Sequence, residues 1–197
     1  MSAVAEKLES ARQTLLAELR EHALVIGEVT LTSGKKAAYY VDAKRALLRP
    51  PAFRAAGELL AAEARKRGAG AVGGMTMGAD PLACAAIGAD GADGLVAFFV
   101  RKERKEHGLQ RWIEGPPLEQ GARCLVVEDV VTTGGSTVSA IERIREEGLE
   151  IAGVASVVDR LAGGAEAIEG AGGTPYRALV TIDELYPDRP DRGAAAP

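Results

Sequence analysis

The 197-residue sequence has few of the residues on which several protein classes depend. Two cysteines, Cys84 and Cys124, are too few for a disulfide framework, and both stand among apolar residues. We therefore expect two buried free thiols in a reducing cytoplasm. No apolar stretch is long enough to span a bilayer, and Glu6, Lys7 and Glu9 lie where a signal peptide needs an apolar core. The sequence thus predicts a cytoplasmic protein without a membrane partner.

An excess of positive charge is also absent. Lysine and arginine number 24 against 28 acidic residues, for a formal net charge of −4, and many cations fall in one segment after residue 100. A broad basic face for nucleic acid is therefore not expected. Of the two histidines, His22 lies in a helical stretch and is interpreted as an ordinary surface or core residue.

The apolar residues that are present recur with two different periods. Helical spacing predicts one helix at the N-terminus and another between Pro51 and Gly68. Short apolar runs, at 95–100, 125–127 and 151–158, predict strands between helices. This alternation predicts an α/β fold, a mainly parallel twisted sheet flanked by helices, with ligand loops at the carboxyl ends of the strands. We expect a single domain over residues 1–186 and a frayed tail over 187–197.

Residues 124–137, CLVVEDVVTTGGST, combine a buried strand, two acids and a turn rich in glycine and hydroxyl groups. Glycines let the turn point its N–H groups inward, and the threonine and serine side chains add donors, so the turn can bind phosphate. A helix predicted over 138–147 would direct its positive end at the same turn and end before Gly148. The alternative is a glycine-rich turn that binds no ligand.

The two acids, Glu128 and Asp129, limit what such a turn can bind. Carboxylates about 5 Å apart repel by roughly 3 kcal/mol at an effective dielectric constant of about 20, so cations or hydroxyl donors must lie nearby. Mg²⁺ or the hydroxyls of a sugar would meet this need. The motif therefore suggests a ligand with a phosphate next to a ribose, such as ribose 5-phosphate.

The string E-D-V-V-T-T-G-G-S-T resembles the phosphoribosyl pyrophosphate (PRPP) signature of type I phosphoribosyltransferases. The resemblance implies the fold of that family, including a small N-terminal hood element. It also implies that the acids hold the ribose hydroxyls and that the loop holds the 5′-phosphate. The PRPP-binding residues implied here are Glu128, Asp129, Val130, Val131, Thr132, Thr133, Gly134, Gly135 and Ser136.

A charged segment follows the strand predicted at 95–100 and extends to Pro117 without clear periodicity. Its beginning, F-x-R-K-E-x-K-x-H-G, resembles the catalytic loop of orotate phosphoribosyltransferases. The resemblance implies a lid in which Arg101, Lys102, Lys105 and His107 contact PRPP phosphates, partly across a homodimer interface, with Arg101, Lys105 and His107 catalytic. A solvated charge run on a surface loop is the alternative.

Two further segments suggest where the base would bind. Residues 30–42 are similar to the family's early L-x-S-G-[KR]…Y-[YF] element, which implies that Tyr40 belongs to the orotate pocket. A plain hairpin turning at Ser33-Gly34 would give the same pattern. The strand at 151–158 ends in Asp159-Arg160, where the family places an arginine against the base carboxylate, and Thr132 is the other implied base contact.

The sequence departs from the family in two places. Gly78 replaces a lysine that would contact pyrophosphate, and Thr32 stands where some relatives carry lysine. A backbone nest around residues 74–78 would have to compensate. Asp80 followed by Pro81 is also the pattern of an N-cap and first-turn proline at the start of a helix.

The resemblance as a whole implies an orotate phosphoribosyltransferase of de novo pyrimidine (UMP) synthesis. Such an enzyme converts orotate and PRPP into orotidine 5′-monophosphate and pyrophosphate, with Mg²⁺ as cofactor. The metal would be carried mainly by PRPP, with no direct protein ligand. Two alternatives stay open, namely a purine or uracil as the base and a PRPP-sensing regulator without catalysis. A regulator would need a DNA-reading element or a broad basic face, and the sequence shows neither.

Overall fold

The computed structural model describes residues 2–30, 36–104 and 111–192. Helices and strands alternate along most of this length, as predicted. They are α1 Ala3–His22, β1 Leu24–Thr30, β2 Lys36–Val41, α2 Lys44–Leu47, α3 Pro50–Arg67, β3 Ala71–Met75, α4 Asp80–Ile87, β4 Val96–Val100, β5 Ile113–Glu114, β6 Arg123–Val131, α5 Gly135–Glu146, β7 Glu150–Asp159, α6 Gly164–Gly172, β8 Tyr176–Thr181 and α7 Ile182–Leu185.

Six of these strands form the central sheet, in the order β5-β4-β3-β6-β7-β8. All neighbouring pairs are parallel except β4 and β5. Buried side chains form two clusters, one of which includes residues of α1 and α3 and the other residues of α5 and α6. The predicted α/β class, a mainly parallel sheet flanked by helices, is confirmed.

The remaining two strands, β1 and β2, pair antiparallel in a separate small sheet. This hairpin, which we call the hood, is the predicted N-terminal element. Its pairing runs from Leu24 with Val41 to Thr30 with Lys36. The turn predicted at Ser33-Gly34, and Thr32 beside it, lie outside the described residues.

The two helices predicted from periodicity are present. Helix α1 begins after Ser2, whose side chain accepts a hydrogen bond from the amide of Ala5 at 3.3 Å, and it packs on α3. Its last turn contains His22, half-buried beside glutamates of the same helix, as an ordinary helix residue. Helix α3 ends at Gly68, which adopts the left-handed conformation that glycine favours.

Three local expectations were wrong. Strand β6 does not end before the acids but continues through Glu128 and Asp129 to Val131, because β7 pairs with it as far as Asp159. Asp80 is the first residue of α4 and not its N-cap, which is Ala79. Cys84 is exposed, because it lies on the face of α4 that points away from the core, whereas Cys124 is buried in β6 as expected.

None of the helices in the described part of the chain combines the length and apolar character needed to cross a bilayer. The boundary placed at residue 186 stays a prediction. Residues 193–197 of the predicted tail lie outside the described residues.

Candidate active site

The turn after β6 forms a cradle at the N-terminus of α5. Gly134 adopts a left-handed conformation with φ of 80° and caps α5 without a side-chain hydrogen bond. The cradle bounds a cavity of about 190 Å³, lined by Glu128, Val130, Val131, Thr132, Thr133, Gly134, Gly135, Ser136 and Thr137. The helix end points partial positive charge and amide donors at this cavity, which therefore suits a phosphate.

The two acids lie beside the cradle and are almost completely buried, with exposed fractions of 6% for Glu128 and 8% for Asp129. Glu128 Oε2 accepts a hydrogen bond from Thr137 Oγ1 at 3.3 Å. Asp129 Oδ1 accepts one from the amide of Val130 at 2.9 Å. Burial, reinforced by the neighbouring charge of Asp129, raises the pKa of Glu128 to about 8.

A cation that the sequence reasoning missed, Lys44, balances the second acid. Its Nζ lies 3.0 Å from Asp129 Oδ2 and 3.5 Å from Asp42 Oδ1. Burial alone would lower the pKa of Lys44, but the charge of Asp129, the hydrogen bond to it and the charge of Asp42 together raise that pKa above its ordinary value. The one available signal was a lysine directly after the aromatic strand of the hood, and nothing local connects it to residue 129.

A second cavity, of about 200 Å³, opens beside the acids between the hood and the central sheet. It is lined by Tyr40, Val41, Lys44, Asp129, Val130, Thr132 and Arg160. The structure thus brings together the three residues predicted to contact the base, Tyr40, Thr132 and Arg160. With Arg160 and Lys44 in its wall, this base cavity suits a small planar anion.

The chain is similar to known proteins in both sequence and fold. A family model described as "Phosphoribosyl transferase domain" matches residues 73–171. The orotate phosphoribosyltransferase of Corynebacterium glutamicum (strain R) is 51% identical over 175 residues, which are 89% of this chain and 94% of that protein. The chain belongs to the orotate phosphoribosyltransferase family.

Solved structures of this family show the same fold. The crystal structure of Mycobacterium tuberculosis H37Rv orotate phosphoribosyltransferase in complex with Fe(III) dicitrate has a TM-score of 0.81 and 44% identity, covering 89% of this chain and 99% of that one. The complex of that enzyme with PRPP has a TM-score of 0.76 and 39% identity, covering 89% and 98%. The predicted type I phosphoribosyltransferase fold is therefore confirmed.

Gly78, in the loop after β3, lies close to the two acids. A Cβ atom on Gly78 would lie 2.5 Å from Asp129 Oδ1 and 3.0 Å from Glu128 Oε1. The first separation is shorter than real Cβ contacts show, and the second is tighter than nine in ten of them. The backbone of this loop therefore lies directly against the two acids, and a side chain at this position would displace them.

The segment that resembles the family's catalytic loop is only partly described. Lys105 and His107 lie outside the described residues. Arg101 is half-buried and its Nη1 donates to Glu114 Oε1 at 3.1 Å, while Lys102 is exposed. Neither Arg101 nor Lys102 lines the cradle or the base cavity. The predicted PRPP contacts of these four residues stay predictions.

The described residues on both sides of that segment are anchored to α5, which the sequence reasoning did not foresee. Two guanidinium groups lie over the Trp112 ring, with Arg143 Cζ at 4.3 Å and Arg104 Cζ at 5.0 Å from its centre. Trp112 Nε1 donates to Glu146 Oε2 at 2.7 Å, and Arg143 Nη1 donates to the carbonyl of Arg101 at 2.7 Å. The helix that begins at the cradle thus also fixes Arg101.

No group of three or more His, Cys, Asp or Glu side chains in the described ranges is arranged to hold a metal ion. Lys44 balances only one of the two acids, and Thr137 donates a single hydrogen bond to the other. The pair therefore still suits a ligand that supplies hydroxyl donors together with a cation.

The contact at Gly78 makes a prediction about stability. Substituting Gly78→Ala should lower the free energy of unfolding by about 1 to 3 kcal/mol, because the new methyl group forces the buried carboxylates out of position. Gly170→Ala in α6 is the matched control, since nothing lies within 4 Å of a Cβ there. Urea denaturation of the two variants measures their free energies of unfolding. Equal midpoints for the two variants would show that the carboxylates move aside freely.

The raised pKa of Glu128 makes a second prediction, about the dependence of stability on pH. Between its ordinary value of 4.5 and about 8, the folded protein holds a proton on Glu128 that the unfolded chain releases. The contribution of Glu128 to the free energy of unfolding therefore falls as pH rises through this window. Glu128→Gln cannot titrate, so its stability should fall less steeply than that of the wild type.

Urea denaturation of both proteins at pH 5, 6.5 and 8 measures the two slopes. Parallel slopes would contradict a raised pKa at Glu128.

Proposed function

We propose that the protein transfers the ribose 5-phosphate group of PRPP to orotate in a Mg²⁺-dependent reaction. The products are orotidine 5′-monophosphate and pyrophosphate, and the reaction belongs to de novo UMP synthesis in the cytoplasm. Membership of the orotate phosphoribosyltransferase family sets the reaction class, a pentosyl transfer. The observation that carries the proposal is the position of the buried acids, which lie between a phosphate cradle and a cationic base cavity.

The cradle and the two acids would bind the ribose 5-phosphate part of PRPP. The exposed amides and hydroxyls of Thr132, Thr133 and Ser136 would hold the 5′-phosphate at the N-terminus of α5. Glu128 and Asp129 would then accept hydrogen bonds from the ribose hydroxyls next to it. Mg²⁺ bound to PRPP would neutralise charge on the pyrophosphate, without direct ligands from the protein.

The base cavity accounts for the other substrate. Arg160 can donate two parallel hydrogen bonds to the orotate carboxylate, while Lys44 adds a second positive charge in the same wall. Tyr40 and Thr132 complete the cavity around the ring. A purine or uracil has no carboxylate for the guanidinium of Arg160 to bind, which is why we favour orotate.

The reaction itself needs charge stabilisation more than proton transfer. Positive charge develops at the ribose C1 as pyrophosphate departs, and the orotate anion attacks without a general base. Arg101, Lys102, Lys105 and His107 would contact the leaving group and help to exclude water. Arg101 would exchange its contact with Glu114 for the pyrophosphate. We further propose a homodimer in which these residues contribute across the interface, and a lysine or His107 that protonates pyrophosphate.

The substrate assignment is tested by mixing the protein with orotate, PRPP and Mg²⁺ and following absorbance in the orotate band. Loss of absorbance that depends on PRPP is the expected result, with adenine, hypoxanthine and uracil unchanged in parallel reactions. Turnover of another base instead would overturn the assignment of the base cavity. Binding of PRPP without turnover of any base would favour the PRPP-sensing regulator.

The role proposed for Lys105 is tested separately. Lys105→Ala should lower kcat by about 10² to 10³, the loss typical for removing one group that stabilises charge in a transition state. Its unfolding midpoint should stay unchanged. Lys66→Ala, at an exposed lysine on α3, is the control and should keep full activity. Unchanged turnover in Lys105→Ala would rule out the lid mechanism.

A further inference from the structure

Arg160 is held on the side away from the base cavity by an aromatic ring. Its guanidinium carbon lies 5.0 Å from the centre of the Tyr39 ring. Tyr39 is only 3% exposed, whereas its neighbour Tyr40 points into the cavity, because successive side chains of β2 face opposite ways. A guanidinium stacked on a ring is restricted in orientation, so Tyr39 determines where the donors of Arg160 point.

Tyr39 is in turn held by the residues that follow α7. The Tyr186 ring meets it edge to face, with centres 5.4 Å apart and planes at 87°. The Tyr39 hydroxyl donates to Asp191 Oδ2 at 3.0 Å. The ring behind Arg160 therefore has its own support in residues 186–192, which we call the C-terminal brace.

Ion pairs keep the brace in place. Arg189, whose side chain is 10% exposed, donates to Asp183 Oδ1 from Nη2 at 2.7 Å and to Asp191 Oδ1 from Nη1 at 3.1 Å. Asp183 belongs to α7, so the chain folds back on the preceding helix. Asp191 is thereby fixed at the distance from which it accepts the hydroxyl of Tyr39.

We propose that Tyr39 and the C-terminal brace are positioning residues for recognition of the base, through their control of Arg160. The proposal rests on the proposed function, in which Arg160 binds the orotate carboxylate. Residues 187–192, expected from the sequence to be part of a frayed tail, then form part of the specificity apparatus. No residue of the brace lines the cradle cavity, so we expect binding of PRPP not to depend on the brace.

Two truncated chains test the proposal. A chain that ends at residue 186 loses most of the brace, and we expect its KM for orotate to rise roughly tenfold, the equivalent of about 1.4 kcal/mol, while its KM for PRPP stays within about twofold. A chain that ends at residue 192 keeps the brace and should match the full-length protein. Equal increases in both KM values after truncation at 186 would overturn the proposal.

Point substitutions provide a second measurement that does not shorten the chain. Tyr39→Phe keeps the ring and loses only the hydroxyl that donates to Asp191, so its KM for orotate should rise about as much as after truncation at residue 186 and less than that of Tyr39→Leu. Asp191→Asn should resemble Tyr39→Phe. Equal effects of Tyr39→Phe and Tyr39→Leu would contradict a role for the ring.

A double-mutant cycle separates positioning from general support. In an Arg160→Leu background, truncation at residue 186 should leave the KM for orotate unchanged, because the group that the brace positions is already gone. Additive effects of Arg160→Leu and the truncation on the KM for orotate would overturn the positioning role of the brace, but not the role of Arg160. An Arg160→Leu variant with wild-type KM for orotate would overturn the proposed role of Arg160 as well, so the two failures are distinguishable.

Discussion

Two adjacent carboxylates held out of water are the constraint on which the rest of the site depends. Glu128 and Asp129 cannot both be charged and buried without compensation. Lys44 from α2 balances Asp129, and Thr137 from α5 donates to Glu128. Gly78 lets the loop after β3 approach both acids without a side chain in between. Three separate parts of the chain are therefore arranged around one pair of residues.

The parallel sheet is what brings these parts together. Strand β6 lies between β3 and β7, so the carboxyl ends of all three strands meet at one edge. The loop after β3 supplies Gly78, the loop after β6 supplies the cradle, and the end of β7 supplies Arg160. Tyr40 from the hood and Lys44 from α2 complete the wall of the base cavity at this edge. An antiparallel neighbour to β6 would have sent one of these loops to the opposite edge.

The cradle and the acids lie in one continuous segment and were predicted because strand, acids and turn follow one another in 124–137. Tyr40 and Arg160 come from separate segments and were assigned to one site only because the sequence resembles a known family. The contacts of Arg104 and Arg143 with Trp112 join segments that no local pattern connects. Cys84 was wrongly predicted to be buried, because the apolar residues around it in the sequence gave no sign that it lies on an exposed face of α4.

The negative charges of Asp129 and Glu128 are neutralised by different means. This difference links ligand binding to the protonation state of Glu128. Asp129 has an ion pair with Lys44, while Glu128 has no ion pair with a cation in the described part of the chain and instead keeps a proton, as its pKa of about 8 indicates. A ligand that brings both hydroxyl donors and a bound cation favours the ionised form of Glu128. We therefore expect binding of such a ligand near neutral pH to release a proton from Glu128. Among the described residues no cation pairs with Glu128, so the ligand would set its charge.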